Sequence, residues 1–188
     1  DVLKSDIEDL LQSGADIPEP TVEATNKNEK NEEKHVLGIE KELFTVATGE
    51  VIALTDVNDP VFSQKMMGDG FAVIPATGEV TAPLSGKIVS VFPTKHAVGM
   101  QTAEGAEVLI HMGLDTVQMS QPAFEILVSE GQEVVAGTTI AQMNLDAIKN
   151  EGKETTIIVV FTDDKVNGLT INKLGDTERG TVIGKINL

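Results

Sequence analysis

The sequence predicts an all-β protein, a sandwich or barrel of short strands carrying only a few single-turn helices. Three observations lead there. From Leu37 onward, runs rich in Val, Ile and Thr are broken every few residues by Gly, Pro or Asp, the spacing of consecutive short strands rather than of helices. Aromatics make up 3% of the 188 residues, all of them Phe, so the core must be built from aliphatic, mostly β-branched side chains. Two stretches also echo one another: Thr48 to Ile52 (TGEVI) by Ser85 to Val89 (SGKIV), and Gly131 to Ala141 by Gly175 to Gly184. Such repetition is the mark of a duplicated architecture.

The elements follow in order. Val2, Leu3, Ile7, Leu10 and Leu11 recur at helical spacing and Gly14 stops the run, so residues 1–14 are expected to form a short amphipathic helix. Residues 15–36 contain the stretch PEPTVEATNKNEKNEEKH, in which only Val22 and Ala24 are apolar. Such a segment buries too little to offset its ordering entropy, which predicts an acidic, flexible linker. The β region then occupies 37–188, with strands expected at EVIAL, GFAVIP, GKIVSVF, EVLIH, TIAQM and TTIIVVF. Helix-sized candidates remain at Val61 to Met67, Ala123 to Ser129 and Leu145 to Asn150.

Composition excludes several function classes. There are 14 Lys plus Arg against 30 Asp plus Glu, a formal net charge of −16, which argues against nucleic acid and against an anionic membrane surface as partner. No apolar run approaches the ~20 residues needed to span a bilayer. With no Cys, disulfides, thiol catalysis and cysteine-ligated metals are ruled out; an intracellular protein is expected. The chain opens on Asp1 rather than Met, which suggests a piece of something longer.

Chemistry concentrates on two of the three histidines. His35 lies in the linker, whereas His96 and His111 flank a hairpin signal, KHAVGMQTAEGAEVLIH. An even-length loop centred between Ala103 and Glu104 pairs residues whose numbers add to 207, which sets His96 directly opposite His111. A three-residue loop would shift the pairing by one. Alternation then puts Phe92, Thr94, His96 and Val98 on one face with Leu109 and His111, leaving Val108 and Ile110 for the core. Two facing imidazoles can form a hydrogen-bonded cross-strand pair, perform nucleophilic or acid–base chemistry, or ligate zinc with Asp59 or Asp115 as a third group. There is no phosphate-binding glycine loop of the G-x-x-x-x-G-K-[ST] kind and no G-x-S-x-G elbow.

At HMGLDTV (His111 to Val117), preceded by an apolar strand and by TKH (Thr94 to His96), the chain resembles the glucose-family enzyme IIA domains of the bacterial phosphoenolpyruvate–sugar phosphotransferase system. MGDGFAVIP (Met67 to Pro75), APLSGKIVSVF (Ala82 to Phe92) and EGQEVVAGTTI (Glu130 to Ile140) resemble further stretches of that family in the same order. The resemblance implies an antiparallel β-sandwich with pseudo-symmetric duplicated halves. It implies a phosphocarrier in which His111 accepts a phosphoryl group on Nε2, His96 supports the transfer and the Thr94 hydroxyl orients His96. Asp59 and Asp115 would flank the site, with Phe62, Phe92, Val98 and Leu109 as an exposed apolar rim for partners. The implied donor is the small protein HPr and the implied acceptor a cysteine on a IIB domain; no cofactor or metal is required. Residues 1–14 are similar to the closing helix of a IIB domain, which would make the chain the C-terminal part of a fused IIC–IIB–IIA permease on the cytoplasmic side of the membrane. A regulatory IIA-like domain, acting by phosphorylation-dependent binding or fused to a non-phosphotransferase sugar permease, is the alternative.

Overall fold

The computed structural model describes residues 38–188; the expected helix at 1–14 and linker at 15–36 lie outside the described residues. Fourteen strands follow in order: β1 (Glu40–Phe44), β2 (Gly49–Ala53), β3 (Asp69–Pro75), β4 (Glu79–Thr81), β5 (Gly86–Val91), β6 (Ala97–Gln101), β7 (Glu107–Met112), β8 (Phe124–Ile126), β9 (Glu133–Val134), β10 (Thr139–Met143), β11 (Ile157–Phe161), β12 (Gly168–Ile171), β13 (Gly175–Thr177) and β14 (Val182–Asn187). Two short helices, α1 (Pro60–Ser63) and α2 (Leu145–Asn150), and a 3-10 turn at Leu54–Asp56 interrupt them. The expected helix at Ala123 to Ser129 is instead β8, which pairs with β10 through Phe124↔Met143 and Ile126↔Ala141. Its backbone groups need a ladder partner more than its short apolar run needs a helical face.

All pairings are antiparallel. An eight-stranded sheet, β13-β2-β3-β11-β7-β6-β5-β9, faces a second layer made of β1-β14-β12 and β4-β10-β8. Phe44 N–H to Pro83 O and Thr81 N–H to Val46 O join the two small sheets. Between the layers lies an aliphatic core, with Val51, Phe71, Ile88, Val98, Met100, Ile110 and Val159 from the large sheet and Leu43, Val80, Ile140, Ile183 and Ile186 from the opposite layer. The fold is an antiparallel β-sandwich.

The echoes in sequence become equivalent positions in space. β2 pairs with β13 at one end of the large sheet, and β5 with β9 at the other. The order β13-β2-β3-β11 repeats as β9-β5-β6-β7, and β1-β14-β12 repeats as β4-β10-β8. Even single hydrogen bonds recur: Thr45 N–H to Thr181 O in one half matches Ala82 N–H to Thr138 O in the other. The half containing β4 to β10 is inserted whole between β3 and β11, and the β7–β11 ladder is the strand pairing that joins the halves.

That seam explains the unbroken apolar run of β11. Ile157, Val159 and Phe161 enter the main core, while Ile158 and Val160 point to the other face. There they join Ala72 of β3 and Leu114 after β7, covered by Leu54, Val57 and Phe62 from the 3-10 turn, the segment after it and α1. The approach of β3 to β11 requires glycine at position 70, since a Cβ there would overlap the Val159 carbonyl oxygen. Gly70→Ala should therefore lower stability by about 3 kcal/mol or more, because two backbones and no flexible side chain must yield. Chemical denaturation of the two proteins measures it.

Candidate active site

His111 sits on β7 with Leu109, both facing away from the main core, while Val108, Ile110 and Met112 point into it. Alternation had this right. The register differs from expectation: β6 and β7 pair Ala97 with His111, not His96 with His111. The cause is the loop. Thr102 N–H bonds Ala106 O, the Thr102 hydroxyl accepts from the Ala106 amide, and Gly105 takes φ +90°, the three-residue connection that moves the pairing by one.

Val98 lies opposite Ile110, is 0% exposed and belongs to the main core, so it cannot be part of an exposed rim. The histidines nevertheless meet, with ring centroids 4.9 Å apart at 80°. His96 precedes β6, and Lys95 before it adopts φ +61°. That left-handed residue breaks the alternation and swings the imidazole of His96 back over β7. Phe92 then packs edge-on against His96 at 5.6 Å.

Phe62 too departs from the expected exposed rim. It is 5% exposed, anchored in the smaller cluster, with its ring 5.1 Å from His111; it forms a wall of the site rather than a rim open to partners. α1 holds it there. Asp59 caps that helix, its Oδ1 accepting from the Val61 amide at 2.9 Å, and Pro60 follows at the first helical position. Leu109 is half-buried and packs on the same cluster, and Phe92 is half-buried as well. Asp115 is exposed, in a left-handed turn with φ +57°.

The turn after β7 orients the His111 ring. His111 Nδ1 lies 2.8 Å from the carbonyl oxygen of Gly113, an acceptor, so Nδ1 carries the proton and Nε2 keeps its lone pair. Gly113 adopts φ +79°, and a Cβ there would collide with the methyl of Thr116. Thr116 is buried and donates to the Met112 carbonyl at 2.6 Å, closing the turn. The Gly113 carbonyl is the functional group that the residue pattern did not single out; the signal for it was the glycine two positions after the histidine. On His96, Nδ1 is bonded to the Thr94 hydroxyl, and Thr94 is exposed at the turn. Neither Nε2 has a protein partner, and neither is sealed from solvent. The two rings meet edge to face, with Phe62 on one side of the pair and Phe92 on the other.

Burial is the main reason that the pKa of His111 falls to about 4, and the nearby His96 lowers it further. The Gly113 carbonyl and the charges of Asp59 and Asp115 oppose that fall without cancelling it. Burial also lowers His96. At neutral pH the site therefore holds two uncharged imidazoles, one with an available nucleophilic nitrogen and one able to donate a hydrogen bond if Thr94 donates to its Nδ1. Among the described residues no group of three His, Asp or Glu side chains is arranged to hold a metal ion.

The depressed pKa has a signed consequence. Below its ordinary value of 6.5 His111 takes up a proton more readily in the unfolded chain, so the native state loses stability as pH falls from 6.5 to about 4. The loss is at most about 3 kcal/mol. The stability difference between the wild type and His111→Gln, measured by denaturant at several pH values, should shift by that order over this window and be flat above pH 7.

The chain is similar to known proteins over most of its length. The family model described as phosphoenolpyruvate-dependent sugar phosphotransferase system, EIIA 1, matches residues 41–166. The glucose-specific EIICBA component of Streptococcus pneumoniae is 46% identical over 189 residues, covering 100% of this chain and 26% of that protein. The glucose-specific EIIA component of Staphylococcus aureus is 46% identical over 121 residues, 64% of this chain and 73% of the relative. Among solved structures, glucose permease IIA from Mycoplasma capricolum superimposes with a TM-score of 0.74 at 37% identity, over 78% of this chain and 96% of that one. The chain thus spans about a quarter of the fused relative and most of the free-standing ones.

Proposed function

The chain belongs to the EIIA 1 family of the phosphoenolpyruvate-dependent sugar phosphotransferase system, and from that premise we propose that it is a phosphocarrier in sugar uptake, with His111 as the residue that carries the phosphoryl group. The observation that supports this most directly is the Gly113 carbonyl on His111 Nδ1. It commits the proton to Nδ1 and leaves Nε2 as an unprotonated nucleophile at any pH well above 4.

In the transfer, Nε2 attacks phosphorus in line with the departing nitrogen of the donor's phosphohistidine. One N–P bond forms as another breaks, and His111 keeps its Nδ1 proton throughout. His96 donates from Nε2 to a phosphoryl oxygen as charge develops there, with the Thr94 hydroxyl donating to Nδ1 to fix that tautomer. Phe62, Phe92 and Leu109 exclude water that would otherwise hydrolyse the phosphohistidine. Asp59 and Asp115 keep the surroundings negative, which disfavours a resting phosphate and favours onward transfer.

The donor in this reading is HPr and the acceptor a cysteine of a IIB domain, supplied in cis as in fused relatives. Residues 1–14 and 15–36 would then be the end of that IIB domain and a tether that raises its effective concentration near His111. No helix among the described residues is long and apolar enough to cross a membrane. In this reading the membrane step belongs to a IIC partner, as the name of the fused EIICBA relative suggests, with this domain on its cytoplasmic side.

The test is incubation with phosphoenolpyruvate, enzyme I and HPr. One phosphoryl group should appear, acid-labile and alkali-stable as a phosphoramidate, and peptide mapping should place it on His111. Label on any other residue, or none, ends the proposal.

A further inference from the structure

Sulfur in this chain is confined to six methionines; there is no Cys, and no Trp or Tyr either. Three of the six are buried and a fourth is partly covered. Met100 and Met112 are 0% exposed, Met143 is buried, and Met119 packs partly buried against the main core. The other two stand side by side in solvent, Met66 at 70% exposure and Met67 at 38%. They occupy the turn between α1 and β3, tied to α1 by Met66 N–H to Val61 O and Lys65 N–H to Phe62 O. With the exposed Val61 they put three apolar side chains at the end of the helix whose Phe62 lies against His111.

We propose that Met66, with Met67, is a peroxide-modified site that weakens docking of the phosphoryl donor at His111. The proposal rests on the phosphocarrier reading above, since it presumes a partner that seats on these side chains. In the modification, the thioether sulfur attacks one oxygen of hydrogen peroxide. An S–O bond forms, the O–O bond breaks, and the second oxygen leaves as water after taking up the protons. Sulfur is oxidised by two electrons and peroxide is reduced by two. The product replaces a flexible apolar side chain by a strongly hydrated sulfoxide. Burying that group against a partner without a donor for its oxygen disfavours the complex. The described fold is untouched, because both side chains already stand outside the core.

Peptide mapping after mild treatment with hydrogen peroxide should find Met66 oxidised first, Met67 next, and Met100, Met112 and Met143 spared. Acceptance of phosphate from phospho-HPr should then fall on the order of tenfold in kcat/KM, with the melting temperature unchanged, and methionine sulfoxide reductases should restore it. Within the double variant Met66→Leu, Met67→Leu, treated and untreated protein should transfer at equal rates, whatever the variant's own rate. Full oxidation of Met66 with undiminished transfer would overturn the inference, as would an equal loss on treatment of the double variant, or a loss that accompanies unfolding. An untreated protein that accepts no phosphoryl group would overturn the phosphocarrier reading itself.

Discussion

His111→Ala should abolish phosphoryl acceptance completely while leaving the fold standing. The loss is total because no other nitrogen in the site has both a free lone pair and a ring fixed by a backbone carbonyl. The fold survives because His111 is only half-buried and uncharged at neutral pH, so its removal leaves no orphaned charge. His96→Gln separates the two imidazoles. It keeps a side-chain N–H donor but not the ring packed on Phe92 and His111, so the variant should still accept phosphate and pass it on slowly. Rapid-quench measurement of both half-reactions decides the matter: equal loss in each would mean that His96 serves acceptance as much as delivery.

Val98→Asp should leave little folded protein at 25 °C. The side chain is 0% exposed, opposite Ile110 in the main core, and an unpaired carboxylate there costs several kcal/mol, a large part of ordinary domain stability. Leu109→Asp, on the neighbouring strand and the opposite face, should remain folded. It is half-buried against the smaller cluster, so a cost on the order of 1–2 kcal/mol is expected, together with a much slower reaction with the donor. Circular dichroism melts of the two variants contrast them. A folded Val98→Asp would mean that the β6–β7 register is the one adding to 207 after all.

Most of the fold was legible because its strands are short, β-branched and punctuated. EVIAL, GFAVIP, EVLIH, TIAQM and the IIVVF run each became a strand within a residue or two. Strands such as β4, β8, β9 and β13 were not legible, since two or three residues paired at an edge carry no periodicity of their own. The duplication was legible only as echoes around glycines that fix turns. In the site, the pairing of the two histidines was foreseen for the wrong reason. The register depends on whether Gly105 closes a two- or three-residue loop, and the recovery depends on a left-handed Lys95 that no residue pattern announces. Val98 and Phe62 were misjudged for the same cause. Apolar side chains beside a site look alike in sequence, and only the register and the path of α1 decide which are walls, which are core and which meet solvent.

The seam between β7 and β11 bears on the order in which the chain assembles. The inserted half, residues 79–143, closes every one of its ladders within its own contiguous stretch, whereas β3 must find β11 across the whole insertion, from Pro75 to Ile157. Loop-closure entropy penalises the longer search, and long-range strand pairing slows folding. The inserted half is thus expected to become protected from amide hydrogen exchange before the β3–β11 and β1–β14 ladders, whose partners are further apart in sequence. His111 belongs to the inserted half but lies opposite Ile158 and against Phe62, both supplied by the other half. A partly folded chain would own the histidine but not the nucleophile's surroundings, so reactivity at this site reports that both halves have closed.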